Sequence, residues 1–171
     1  MHSRTFKIAI AILSALFIGL VASVYQGSSK AFQKMPETMA NVSALTAEGK
    51  RTDFESERGR VTLVVLSAEW CPSCVAELTS LKKLHEEFYA EGFRIVMVSE
   101  DDSQKMALKF KKTYAMPWTV VHWNYELMNA LGNPKVVPVS YLVDSKNRFE
   151  TIQAGIIDEN RMRHAIRSLL Q

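Results

Sequence analysis

The first pattern along the chain is a hydrophobic block with no polar face. Residues 8–24, IAIAILSALFIGLVASV, form a 17-residue uncharged run in which only Ser14 and Ser23 carry polar side chains. A helix buried in a soluble core keeps a polar stripe, and this segment has none. Arg4 and Lys7 precede the run, the first 25 residues hold no acid, and the polar QGSSK follows. That order is the layout of an export signal or membrane anchor whose positive flank stays in the cytoplasm. The run is longer than the ~7–15 apolar residues of a cleaved signal and slightly shorter than the ~20 that span a bilayer. Phe6 and Tyr25 extend it, so an uncleaved anchor over residues 1–25 is the expectation, with a cut after Ser23 as the alternative.

Residues 26–40, QGSSKAFQKMPETMA, have no apolar period and contain Pro36, and they read as a linker. A single domain is expected over 41–171. VSALTA and KRTDF alternate around the turn-like EGK, which predicts a small hairpin at the domain edge. Residues 61–68, VTLVVLSA, are a near-continuous β-branched run of the kind covered on both faces in a central strand. From Pro72 the period lengthens: Cys74, Leu78, Leu81, Leu84, His85 and Phe88 fall on one stripe of a helix that ends near Gly92. A second strand, FRIVMVSE (93–100), completes a βαβ unit with parallel pairing. DDSQKMALKFKKTY opens with capping residues and predicts a helix with Met106, Leu108 and Phe110 among its apolar positions.

WTVVHW (118–123) reads as another strand and YELMNALG as a short helix closed by Gly132. VPVSYLVD (137–144) and RFETIQAG (148–155) predict an antiparallel hairpin around SKN. DENRMRHAIRSLLQ is a last helix with Met162, Ala165, Ile166 and Leu169 inward. The expected fold class is α/β, a mixed sheet parallel in its first half and antiparallel in its second, with helices on both faces.

Composition changes this picture little. The chain has 171 residues, 47% hydrophobic and 23% charged, which fits one core plus an appendage. Of its net charge of +3, Arg4 and Lys7 supply two, leaving the remainder near neutral. No Lys/Arg cluster with interleaved aromatics stands out, so a nucleic-acid partner is not expected.

The chemistry sits in SAEWCPSCVAEL, residues 67–78, which holds the only two cysteines, Cys71 and Cys74. As a structural staple the pair closes too short a loop to remove much entropy from the unfolded chain. As a zinc clasp it lacks a second ligand pair, because His2, His85, His122 and His164 are isolated from one another. A reactive couple fits the position: Cys71 falls where a buried strand gives way to a helix, facing that helix's N–H groups and positive dipole end. Cysteines so placed have pKa values lowered from about 8.5 into the range ~3.5–7.5. Pro72 suits the first helical position. Cys71 is then the nucleophile, and Cys74, one turn on and inward, resolves the mixed disulfide.

The motif AEWCPSC after a β run, with Glu77 three residues beyond the second cysteine and VPVSYLVD downstream, resembles the membrane-anchored TlpA-like and ResA-like thiol-disulfide oxidoreductases of the thioredoxin superfamily. The resemblance covers residues 41–171 and implies a thioredoxin-like fold. It implies that Pro138 is a cis-proline beside the sulfurs, that Val137 offers backbone groups to an extended substrate, and that Trp70 belongs to the same substrate-binding surface. It also implies that Glu77 assists proton transfer at Cys74. Val65 stands where thioredoxins carry a buried aspartate. Thr79 replaces a proline common in the family, and the dipeptide between the cysteines has its proline first, which leaves open a range of potentials from about −270 to −120 mV.

The function implied is an extracytoplasmic protein disulfide oxidoreductase on the outer side of a bacterial cytoplasmic membrane, acting as a reductase, with cytochrome c maturation as an extension. Its expected partners are protein thiols or disulfides, a membrane electron-donor oxidoreductase, and the membrane itself through the N-terminal helix. No cofactor or metal is expected. The alternatives are a periplasmic thiol oxidase or isomerase and a non-enzymatic copper chaperone, for which His122 and His164 would be the extra ligands. A peroxiredoxin is disfavoured by Ala68, where that family shows threonine.

Overall fold

A computed structural model describes residues 36–171, so the expected signal or anchor and most of the expected linker lie outside the described residues. Among the described residues no helix is long and apolar enough to cross a membrane. The element order is β1 (Ser43–Thr46), β2 (Arg51–Asp53), a one-turn helix α1 (Phe54–Glu57), β3 (Val61–Ser67), α2 (Pro72–Phe88), β4 (Phe93–Ser99), α3 (Gln104–Thr113), β5 (Thr119–His122), α4 (Tyr125–Ala130), β6 (Val139–Val143), β7 (Phe149–Ala154) and α5 (Glu159–Leu170).

The strands form one sheet in the order β2-β1-β5-β4-β3-β6-β7. Its centre, β5-β4-β3, is parallel, and both flanks pair antiparallel. The mixed α/β class is as expected, but the parallel strands lie between two antiparallel flanks rather than at one end. The edge hairpin produces this: β1 pairs with β2 and also antiparallel with β5. Sequence periodicity carries no information about such a long-range partner.

All seven residues of β3 are buried, which is why the strand reads as a continuous apolar run. Val61, Leu63 and Val65 join Leu78, Leu81, Leu84 and Phe88 of α2 and Met162, Ile166 and Leu170 of α5 in one core layer. Val64, with Val96, Val98 and Val121, faces the opposite layer beside Phe54 and Leu127. Each fully buried aliphatic or aromatic side chain contributes roughly 1.5–3 kcal/mol. The core stripe of α5 closes on Leu170 rather than the expected Leu169, and in α3 Ala107 and Phe110 are buried where Met106 and Leu108 are only partly so. Trp118 is a core side chain.

The domain begins earlier than the expected Asn41. Thr38 bridges to Arg148, Met39 N–H donates to Asn147 O at 2.7 Å, and Met39 is buried. Residues 37–39 are therefore part of the domain, tied to the β6–β7 hairpin, and the linker reading fails there. PETMA looked polar because a single methionine supplies the burial.

β3 and β4 start together. Arg60 N–H donates to Gly92 O at 2.8 Å, and Val61 aligns with Phe93. A Cβ on Gly59 would lie 2.1 Å from that same Gly92 oxygen, a backbone atom that cannot swing aside. Gly59→Ala is expected to cost about 1–3 kcal/mol as overpacking, read as a lower urea midpoint with unchanged slope.

Candidate active site

Cys71 is the N-cap of α2. Its backbone is extended, and its Sγ accepts from Cys74 N–H at 3.2 Å. Pro72 takes the first helical position, where no intrahelical N–H bond is lost. The first turn of a helix leaves N–H groups unsatisfied, so a sulfur placed there meets partial positive charge. Cys71 and Cys74 are joined in a disulfide. Cys71 is 5% exposed and Cys74 not at all, so an incoming group reaches Cys71 first.

The strand end sets this position. β3 stops at Ser67, Ala68 is fully buried, and Cys71 N–H donates to Ala68 O at 3.3 Å to close the connecting turn. β6 arrives antiparallel beside β3, with Leu66 opposite Val139. The two residues before that pair are Val137 and Pro138, joined by a cis peptide bond. Val137 O lies 3.7 Å from Cys71 Sγ, and the Val137 side chain packs on Ala68, Cys71 and Cys74. Pro138 is buried, and its carbonyl accepts from Gly155 N–H at 2.8 Å.

Trp70 stands at the rim, 59% exposed, with Val136 at 58% and Ile156 at 51%. Single exposed apolar side chains are ordinary; these three belong to the segments that flank Cys71 and Pro138. Ser73, which the sequence left as an undetermined part of the dipeptide, has its hydroxyl 3.2 Å from Cys71 Sγ.

Glu77 is fully buried on α2, three residues beyond Cys74. One carboxylate oxygen accepts from Ile157 N–H at 3.3 Å, and the other has no hydrogen-bond partner in the protein. Burial raises its pKa to about 7, with the Ile157 bond opposing. Val65, in place of the thioredoxin aspartate, lies between Met97 and Ser140 in the sheet and is fully buried. Glu77 is thus the fully buried carboxylate of α2. Thr79 is exposed, and α2 runs on through it to Phe88.

Of the expected site residues, Cys71, Cys74 and Val137 meet directly, Pro138 follows Val137 through the cis bond, and Trp70 precedes Cys71 at the rim. His122 and His164 do not join the sulfurs: His122 Nε2 donates to Asp101 O at 2.9 Å, and His164 is exposed on α5. Among the described residues no three His, Cys, Asp or Glu side chains are grouped as metal ligands.

A residue that sequence reasoning missed is Asp101. It is fully buried and accepts from Glu69 N–H at 3.0 Å and from the Ser99 hydroxyl at 2.7 Å. In the sequence, DDS reads only as the start of a helix cap, and the cap is Ser103. The missed signal is an acid just past the end of a largely buried parallel strand.

The family model for AhpC/TSA matches residues 33–152. Thioredoxin-like protein YneN of Bacillus subtilis is 26% identical over 157 residues, covering 88% of this chain and 91% of that protein. Thiol-disulfide oxidoreductase ResA of Oceanobacillus iheyensis is 25% identical over 104 residues, covering 61% of this chain and 54% of that protein. A thioredoxin-family thiol:disulfide interchange protein from Chlorobium tepidum superposes with a TM-score of 0.71 at 20% identity, over 81% of this chain and 99% of that one. That likeness places the fold as thioredoxin-like.

The Glu77 pKa carries a sign. Its folded value of about 7 lies above the ordinary 4.5, so the unfolded chain loses this proton first as pH rises. Stability from this group is complete below about pH 4.5 and is lost as pH climbs through about 7. Glu77→Gln is expected to flatten that decline, so that its stability advantage over the parent grows from pH 5 to pH 8 in urea titrations of the oxidised protein. An unchanged pH slope would contradict the assignment.

Proposed function

The chain belongs to the AhpC/TSA family and is a thiol-disulfide oxidoreductase of thioredoxin-like fold, and we propose that it works outside the cytoplasm, tethered to the membrane, as a reductase of exported protein disulfides. The observation that carries the chemistry is Cys71 Sγ at the N-cap of α2, accepting from Cys74 N–H at 3.2 Å. A thiolate there receives a charge-assisted hydrogen bond and the field of the helix end, while the thiol gains less.

In the reducing direction the Cys71 thiolate attacks one sulfur of a substrate disulfide. A mixed disulfide forms and one substrate thiolate leaves. Cys74, buried against the first sulfur, then loses its proton and attacks Cys71 Sγ. The second substrate thiolate leaves, and two electrons have passed to the substrate as the Cys71–Cys74 disulfide closes. Glu77, held near pH 7 on the same helix, takes the Cys74 proton. An electron-donor oxidoreductase in the membrane returns the pair to the dithiol.

Val137 and Pro138 support the binding half of this reading. An extended substrate segment crossing Cys71 meets the Val137 backbone and the apolar rim of Trp70, Val136 and Ile156. The uncharged run over residues 8–24, after Arg4 and Lys7, supports the extracytoplasmic placement. The TlpA-like and ResA-like resemblance supports apocytochrome c as a substrate class, because its haem-binding cysteines must be reduced thiols.

Two variants test the role. Cys71→Ser is expected to abolish insulin-disulfide reduction. Cys74→Ser, expressed in intact cells, is expected to hold exported proteins as mixed disulfides at Cys71, and alkylation trapping of the parent should find the pair mainly reduced. A pair found mainly oxidised, or no captured partner, would overturn the reductase proposal.

A further inference from the structure

We infer that Asp101 is a positioning residue for the redox couple, holding the loop that carries Trp70 and Cys71 in register with the sheet. The inference rests on the thiol-disulfide exchange described above and holds for either direction of it. A fully buried carboxylate is costly unless its oxygens are hydrogen-bonded, and among the described residues no Lys or Arg forms an ion pair with Asp101. What it has instead is a set of hydrogen bonds. One oxygen accepts from the Glu69 amide at 3.0 Å and the other from the Ser99 hydroxyl at 2.7 Å. Asp101 N–H donates back to Ser99 Oγ at 3.3 Å, and Asp101 O accepts from His122 Nε2 at 2.9 Å.

These bonds join three parallel strands at their C-terminal ends. Glu100 N–H donates to Ser67 O at 2.9 Å and Trp123 N–H to Ser99 O at 3.1 Å, so β3, β4 and β5 are already cross-linked there. Asp101 extends that frame one step further, onto the connection between β3 and α2. Ala68 and Cys71 of this connection also pack on Val137, and its remaining ties are a local turn bond and a surface ion pair. Cys71 N–H donates to Ala68 O within the turn itself, and the Glu69 carboxylate is paired with the exposed Lys109 at 3.0 Å, a surface pair of little strength. The Glu69 amide bond to the buried Asp101 carboxylate is the polar anchor that reaches the sheet, two residues before the reactive sulfur.

The consequence is geometric. Attack on a disulfide needs three sulfurs nearly in line, and misplacement by about 1 Å costs on the order of 100-fold in such steps. If the Glu69 amide is released, the turn gains freedom at Trp70 and Cys71, while α2 and the Cys74 cap bond remain. Ser99 has the supporting role, orienting the carboxylate by its hydroxyl.

The test compares Asp101→Ala with Asp101→Asn in the full chain. Asparagine keeps an acceptor for Glu69 N–H and reverses the Ser99 bond; alanine keeps neither. The readouts are the rate of disulfide exchange per folded molecule and the hydrogen exchange of the Glu69 amide. Asp101→Ala is expected to free that amide and slow exchange roughly 10–100-fold, with Asp101→Asn recovering most of the rate. Should Asp101→Ala fail to fold, Ser99→Ala serves in its place, with a smaller loss in the same two readouts. An unaltered rate despite a freed Glu69 amide, or an asparagine variant as slow as alanine, would overturn the inference. An inactive parent would instead overturn the oxidoreductase reading.

Discussion

The first turn of α2 presents amide groups that need an acceptor, and the acceptor at Cys74 N–H is the Cys71 sulfur. Serine, threonine, aspartate and asparagine ordinarily fill this position because their oxygens accept strongly. In the oxidised pair the sulfur is a weak acceptor and the cap is poorly served. On reduction to a thiolate the same atom carries a full charge, and both the hydrogen bond and the helix dipole favour it. Helix capping and redox chemistry are therefore one interaction, and the stability of the reduced protein depends on the charge that makes it reactive.

The rest of the site follows from holding that sulfur still while leaving it accessible. β3 delivers it at the end of a strand buried on both faces, and β6 brings Val137 O to 3.7 Å. Two buried carboxylates have different surroundings. Glu77 has one hydrogen bond and an unpartnered oxygen, so its proton is retained up to about pH 7. Asp101 has donors on both oxygens and ties the Glu69 backbone to the Ser99 side chain. One is suited to exchange a proton and the other to fix a loop.

Much of this was legible in the sequence where local rules act. The β-branched run 61–67, the switch to a helical period at Pro72 and the return to a strand at Phe93 located the cysteines on a strand-to-helix turn. Pro138 was placed beside them through a family resemblance, since nothing in VPV specifies that Val137 meets a residue 66 positions upstream. What escaped was long-range or carried by single residues. The antiparallel seating of β1 on β5 depends on a partner with no local signature. Met39 secures residues 37–39 from within a polar segment. Asp101 looks like any acid before a helix cap, and only the approach of the Glu69 amide distinguishes it. The one-turn α1 is nucleated by the Asp53 cap on Ser56 N–H, a signal too short to register as a period.

The most direct measurement of the central claim is the pH dependence of alkylation of the reduced protein, with each cysteine followed separately by mass spectrometry. The capped geometry predicts that Cys71 reacts first and titrates well below the ordinary ~8.5 of a free thiol, while buried Cys74 stays protected. Equal reactivity at the two cysteines, or a Cys71 midpoint at the free-thiol value, would contradict it.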